Sequence, residues 1–253
     1  MSKKYNTGLV LGGGGTRGFA HLGIIAALFD HGIQPDVISS VSAGAIVGAL
    51  IAGGKKPEEI HQILKKGGFF KYTKLHLPVD GLLRLDGLRE VLEAEIGVKN
   101  IEDLEIPFYI TVSNLNKGSV EYINEGPLIE TIIASSSIPI LFSPVKLNGD
   151  LYVDGGLMDN VPINPISEKC EKLIVSNISP IHPKTDIKNL IQITSRTFYM
   201  SVNPNTNKIR KNSWLYIEPE GIDEYEILSR THADKLYELG YKAAEKALEN
   251  NIN

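Results

Sequence analysis

The clearest signal along the chain is a switch of hydrophobic period that repeats twice within the first 54 residues. A short apolar, β-branched run from Thr7 to Leu11 ends in four glycines. It gives way to "TRGFAHLGIIAALFDHG", with apolar residues at Phe19, Leu22, Ile25 and Phe29. The first run reads as a buried strand and the second as an amphipathic helix, with Gly32 placed as its C-terminal cap. "DVISSV" (Asp36–Val41) then reads as a second buried strand, and "AGAIVGALIAGG" as a second helix ended by Gly53 and Gly54. Strand, helix, strand, helix in close succession predicts βαβ units and a parallel sheet.

Beyond Gly54 the pattern loosens. Pro57–Lys66 and Leu88–Ile96 read as helices, separated by a Gly-rich, aromatic and basic stretch. "PFYITVSNL" and "GSVEYINEG" alternate as strands joined by a turn at Asn116–Gly118. "LIETIIASSSIPI" starts as a helix and stops at Pro139, because proline cannot continue the backbone ladder. "LYVDGG" and "KLIVSNIS" read as strands. The closing "DKLYELGYKAAEKALEN" reads as an amphipathic helix with Leu236, Leu239, Ala243 and Ala247 on one face. No repeat or linker-like segment interrupts the 253 residues, so a single domain spanning 1–253 is expected.

Composition narrows the function. Net charge is −4 with the signs interspersed, which removes the basic footprint of a nucleic-acid binder. The lone Cys170 excludes an intramolecular disulfide and a cysteine zinc site, which suits a reducing compartment. The N-terminal apolar run is too short for a signal h-region, and no window reaches the 18 or so apolar residues of a spanning helix. A cytoplasmic protein is the expectation.

Three places can carry chemistry. At the junction of the second strand and helix stands Ser40-Val41-Ser42-Ala43-Gly44. A strand-to-helix turn tight enough to expose its central side chain needs small residues two before and two after, as in the G-x-S-x-G nucleophile elbow. Ser40 stands where that pattern has glycine, and Gly44 keeps the second small position. Ser42 would lie at a helix N-terminus, where free N–H groups favour developing negative charge. A serine there also suits a simple helix N-cap, so both readings stand.

The second place is the glycine loop. Gly13, Gly15 and Gly18 satisfy G-x-G-x-x-G after a strand and before a helix. A dinucleotide site would want an acidic residue closing the second strand, but Ser39, Ser40 and Ser42 stand there, and no Gly-Lys-Ser/Thr follows. Because the two loops follow successive parallel strands, they should lie side by side at one sheet edge. Arg17 could add positive charge there or steady the loop. The third place is "YVDGGLMDNVP", where Asp154 leaves a strand into Gly155 and Gly156; alone, that is an Asp-Gly turn.

Together these features resemble the patatin-like phospholipase family. "GGGTRG" (Gly13–Gly18) is similar to its oxyanion signature, "SVSAG" to its nucleophile elbow, and "DGG" (Asp154–Gly156) to its catalytic aspartate motif. "ASSSIPILFSPV" (Ala134–Val145) resembles its Ala/Ser-rich segment, and the order holds from about Thr7 to Pro165. The resemblance implies a three-layer α/β/α sandwich with a mostly parallel central sheet. It further implies a serine lipid acyl hydrolase of phospholipase A or lysophospholipase type, working on a lipid or other acyl ester with no cofactor and no metal. Ser42 would be the nucleophile and Asp154 the proton acceptor of a dyad. Gly13, Gly14, Gly15 and Arg17 would make the oxyanion loop, with the N–H groups of Gly14 and Gly15 as donors and Gly13 shaping the turn.

Two alternatives remain open. One is a Ser-His-Asp esterase or thioesterase using His182 or His232, the histidines after Asp154; His21, beside the glycine loop, suits a local hydrogen bond better. The other is a catalytically weak, membrane-associated binding protein, kept alive by Ser40. Any membrane contact would be peripheral, at the inner face, with "GGFFKYTKLHLP" and "IPILFSPV" as candidate surfaces, although Phe69, Phe70 and Phe142 equally suit a core.

Overall fold

The computed structural model describes residues 3–67, 74–75, 83–181, 206–227 and 231–252, with isolated positions between 181 and 206. Strand β1 (Tyr5–Leu11), helix α1 (Phe19–Asp30), strand β2 (Val37–Val41) and helix α2 (Ala43–Ala52) follow one another as the hydrophobic pattern predicts. After α3 (Pro57–Gly67) come the short β3 (Lys74–Leu75) and β4 (Leu83–Arg84), which pair with each other, and α4 (Asp86–Glu95). Next are β5 (Phe108–Asn114), β6 (Ser119–Ile123), α5 (Leu128–Ser135), β7 (Val145–Leu147) and β8 (Asp150–Asp154). The chain closes with β9 (Cys170–Ser176), α6 (Thr206–Asn212), β10 (Leu215–Ile217) and α7 (Ala233–Ile252).

Among the described residues, eight strands form one sheet in the order β10-β9-β1-β2-β5-β8-β7, with β6 also on β5. The pairs from β10 to β5 are parallel; those of β5 with β6 and β8, and of β7 with β8, are antiparallel. The central sheet is flanked by helices, as the expected sandwich requires, but the two sides are unequal. The larger core packs α1, α2, α5 and α7 on one face, and a smaller cluster around Val10, Val37, Val161, Ile166 and Val175 covers the other.

One arrangement in this sheet brings distant residues together. β6 occupies one edge of β5 along its length, from Ile110↔Ile123 to Asn114↔Ser119. The opposite edge is shared. β2 pairs with its first half, ending at Val41↔Thr111, and β8 runs antiparallel against its second half, beginning at Val112↔Asp154. The two strands therefore meet head-on at adjacent rungs of β5. The residue after Val41 and the last residue of β8 are forced into contact, although 112 positions separate Ser42 from Asp154.

Two periodicity readings need correction. α1 is not amphipathic: Phe19 to Leu28 are all buried, because α7, from the far end of the sequence, covers the face that solvent would have wetted. On α7 itself the buried row is Leu236, Gly240, Ala244 and Leu248, while Leu239, Ala243 and Ala247 lie at its margin, only partly buried. Gly240 reads as polar in a hydrophobic pattern, and that shifts the apparent face by one row.

Candidate functional site

Ser42 is the N-cap residue of α2, with φ 53° and ψ −121°. A non-glycine residue in this region is strained by about 1–3 kcal/mol and persists only where its surroundings over-determine it. They do so here. The Ser42 N–H donates to Ser135 Oγ at 2.8 Å, and Ser135 Oγ donates to the Thr111 carbonyl at 2.7 Å. On the other side, the Ser42 carbonyl accepts Ala45 N–H at 2.9 Å and Ile46 N–H at 3.2 Å, opening the helix. Gly44 must be glycine, because a Cβ there would run into the Leu11 carbonyl of the neighbouring strand.

Ser40, the departure from the glycine pattern, lies wholly within the sheet. Its hydroxyl donates to the Tyr109 carbonyl at 2.9 Å, so the larger side chain is buried with a partner and the turn still closes.

The Ser42 hydroxyl does not cap its helix. It donates instead to Asp154 Oδ2 at 2.7 Å, while Asp154 Oδ1 accepts the Gly156 N–H at 2.8 Å. The Asp154 main chain is held as well: its N–H donates to Ser137 O at 2.9 Å, and its carbonyl accepts Ser113 Oγ at 3.0 Å. Gly155 packs so closely on the Thr111 carbonyl that a Cβ could not fit. Both side chains of the pair are buried. Burial pushes the Asp154 carboxyl up to about 7, against the hydrogen bonds from Ser42 and Gly156, which favour its charged form.

The glycine loop lies beside this pair, since β1 and β2 are neighbours (Leu11↔Ser40). Gly12 N–H donates to Ser176 O at 3.0 Å, and Gly13 N–H to Asn160 O at 3.2 Å. The Gly13 carbonyl accepts Ser179 Oγ at 2.6 Å. The next bond in the turn is Arg17 N–H to Gly14 O at 3.2 Å, so the N–H groups of Gly14, the N-cap, and Gly15, the first residue of the short 3-10 helix (Gly15–Gly18), precede the donors of its ladder. Arg17 reaches away along the segment that precedes α7, donating from Nε to Tyr225 O at 2.9 Å and from Nη2 to Asp223 O at 3.3 Å. Of its two roles, steadying the loop is the one these bonds serve.

His21 is fully buried beneath the loop, with Nε2 2.8 Å from the Gly12 carbonyl and Nδ1 2.7 Å from Ser176 Oγ. Burial lowers its pKa to about 4, so it is neutral near pH 7: Nε2–H donates to Gly12 and Nδ1 accepts the serine proton. His232 is exposed with its ring edge-on to Tyr225 at 5.2 Å, and His182 lies outside the described residues, as does most of "GGFFKYTKLHLP". Among the described residues no histidine bonds to Ser42 or Asp154. Phe142 is core. Among the described residues no group of three or more His, Cys, Asp or Glu side chains could hold a metal ion.

Sequence reasoning missed Ser135, Ser137, Asn160 and Ser179. All four stood inside quoted segments, but their partners come from elements distant in sequence: Ser42 and Thr111 for Ser135, Asp154 for the Ser137 carbonyl, and Gly13 for Asn160 and Ser179.

Known proteins agree with this architecture. Lysophospholipase NTE1 of Meyerozyma guilliermondii is 27% identical over 272 residues, covering 94% of this chain but 19% of that protein. An uncharacterized NTE family protein of Mycobacterium tuberculosis is 34% identical over 161 residues, covering 63% of this chain and 45% of that one. The chain thus spans about a fifth of the length of the fungal lysophospholipases it matches. Among solved structures, VipD from Legionella pneumophila superposes with a TM-score of 0.54 at 14% identity, over 99% of this chain and 68% of that one, a likeness of fold. The pattern described as patatin-like phospholipase matches residues 9–166, more than half of the sequence, and the chain belongs to the patatin-like phospholipase family.

Proposed function

We propose that this protein is a serine lipid acyl hydrolase that cleaves carboxylic esters through a Ser42–Asp154 dyad. The observation that carries the reading is the 2.7 Å hydrogen bond from a strained, non-capping Ser42 hydroxyl to a buried carboxylate. Backbone strain at a serine whose side chain ignores its own helix is what an elbow needs and an N-cap does not.

In the first half-reaction, Ser42 Oγ attacks the ester carbonyl carbon and its proton passes to Asp154 Oδ2. The carbonyl oxygen becomes an oxyanion beside the N–H groups of Gly14 and Gly15. Collapse expels the alcohol, which takes the proton from Asp154, and leaves an acyl-Ser42 ester. In the second, water gives a proton to Asp154 and attacks the acyl carbon, and Ser42 leaves with that proton restored. A carboxylate is a weak base toward an alcohol, so the oxyanion donors must supply much of the stabilisation; one such donor is worth about 2.7–4 kcal/mol in a well-studied hydrolase. A carboxyl near 7 is a better base than an ordinary aspartate and can still return the proton.

The fungal relatives named lysophospholipases make monoacyl phospholipids the first substrates to try. No described helix is long and apolar enough to cross a membrane; the contact proposed with a lipid surface is a peripheral one. The exposed Ile140 and Met158, which flank the segments carrying Ser137 and Asp154, suit such a surface.

The test is a fluorophosphonate probe with a p-nitrophenyl acyl ester, followed by lysophospholipid release assays. Labelling and turnover present in the wild type and absent in Ser42→Ala support the reading. A folded wild type that neither labels nor turns over contradicts it and favours a binding protein.

A further inference from the structure

The dyad and the glycine loop account for most polar groups around Ser42, but not for Asn160. This residue is 4% exposed, and its Oδ1 is buried with no hydrogen-bond donor. Buried amide oxygens are rarely left unpaired, so one beside a reactive serine calls for a reason. The amide sits where neither glycine motif tolerates a side chain: a Cβ on Gly13 would collide with Asn160 Oδ1, and a Cβ on Gly156 would lie 2.6 Å from it. The same Gly13 position is 3.4 Å from Ser42 Cβ, and the Gly156 position is 3.0 Å from Asp154 Oδ1. Meanwhile the Asn160 main-chain carbonyl accepts the Gly13 N–H at 3.2 Å.

We propose, resting on the hydrolase reading above, that Asn160 is a positioning residue that fixes the distance between the oxyanion loop and the Asp154 turn. Its main chain holds Gly13, and its side-chain amide is wedged between the α-carbons of Gly13 and Gly156. Two glycines are required because a polar spacer fills the room their side chains would take. The residues around Asn160 are pinned independently, so its placement does not depend on the amide. Asp159 accepts the Tyr122 hydroxyl at 2.7 Å from β6, and the Pro162 carbonyl accepts Ser39 Oγ at 2.6 Å from β2. Truncating the amide should thus leave the loop path intact while freeing the two glycine turns to shift against each other. A displacement of an ångström at reacting groups can cost about 10²-fold in rate.

The test compares Asn160→Ala and Asn160→Asp with the wild type, using the p-nitrophenyl ester, fluorophosphonate labelling and thermal unfolding. Asn160→Ala should lower kcat by about 10- to 100-fold with little change in KM or Tm. Asn160→Asp keeps the shape but adds a carboxylate beside Asp154, and should move the pH midpoint of kcat/KM upward, since a like charge favours the protonated acid. The other ionisable groups near this point are engaged elsewhere, Asp159 on Tyr122 and His21 on Gly12 O. An Asn160→Ala enzyme with wild-type kcat and pH profile overturns the proposal. So does a loss that tracks the fraction unfolded in both variants, which would make Asn160 structural only. An inert wild type overturns the hydrolase reading and this proposal together, whereas an active wild type indifferent to Asn160→Ala overturns this proposal alone.

Discussion

The two turns that meet at the site bear their cost in different forms. At Ser42 the cost is in the backbone: φ is 53°, and bonds from Ser135 and the start of α2 hold it there. At Asp154 the backbone is ordinary, with φ −47° and ψ 124°, and the cost is electrostatic, a carboxyl buried where its charge is poorly solvated. The Ser42 turn orients a hydroxyl by backbone geometry, whereas the Asp154 carboxyl is made a better base by losing water. Under the proposed dyad, each cost falls on the turn whose half of the proton transfer needs it.

The largest effect should come from the nucleophile. Ser42→Ala should abolish labelling and lower ester turnover by at least about 10³-fold, as removal of a unit's central member does elsewhere. Ser42→Gly should be equally inactive but more stable than Ser42→Ala, because glycine adopts positive φ without penalty. Thermal unfolding reads the difference, expected at about 2–4 °C for each kcal/mol in a chain of this size. Equal melting temperatures would mean that the elbow stores no strain.

Asp154→Asn comes next, with a loss of about 10²–10⁴-fold in kcat, within the usual contribution of a general base. Its stability effect has a definite sign. Because the folded carboxyl is raised to about 7, its contribution to stability is full below the unfolded value near 3.8 and is lost as pH rises through about 7. Asp154→Asn should therefore be more stable than the wild type at pH 8, with the difference shrinking toward pH 4. Denaturant titrations at the two pH values would show it. Stability without activity at both turns would be the expected trade at a strained site.

Ser135→Ala should cost less, about 10-fold in kcat, by leaving the Ser42 N–H without its acceptor and loosening the elbow. The smallest effect concerns His21. Its folded pKa of about 4 lies below the unfolded 6.5, so its contribution is present above 6.5 and lost as pH falls toward 4. His21→Gln should flatten that acid limb in chemical denaturation; an unchanged limb would assign it to other groups.

The sequence made one of the two turns legible by physics and the other only by resemblance. Ser42 could be read locally, since strand, small residues and helix adjoin within Val37–Ala52. The adjacency of the glycine loop followed from two successive parallel strands. Asp154 had no such local sign. Its approach depends on β8 running antiparallel into the end of β2 along a shared edge of β5, a pairing that no hydrophobic period encodes. The same limit hid Ser135, whose partners are Ser42 just after β2 and Thr111 on β5, and Asn160, whose neighbours Gly13 and Gly156 belong to two motifs distant in sequence. α1 was misread for the same reason, because the element that buries it is at the other end of the chain.

In the proposed dyad Asp154 takes the proton of Ser42 with no histidine between them. It is tested most directly by the pH dependence of fluorophosphonate labelling in the wild type, Asp154→Asn and His182→Ala/His232→Ala. The expected wild-type rate rises through one ionisation near 7, survives in the histidine double variant, and is lost in Asp154→Asn. Labelling that persists in folded Asp154→Asn, or disappears with the histidines while the protein stays folded, would contradict it.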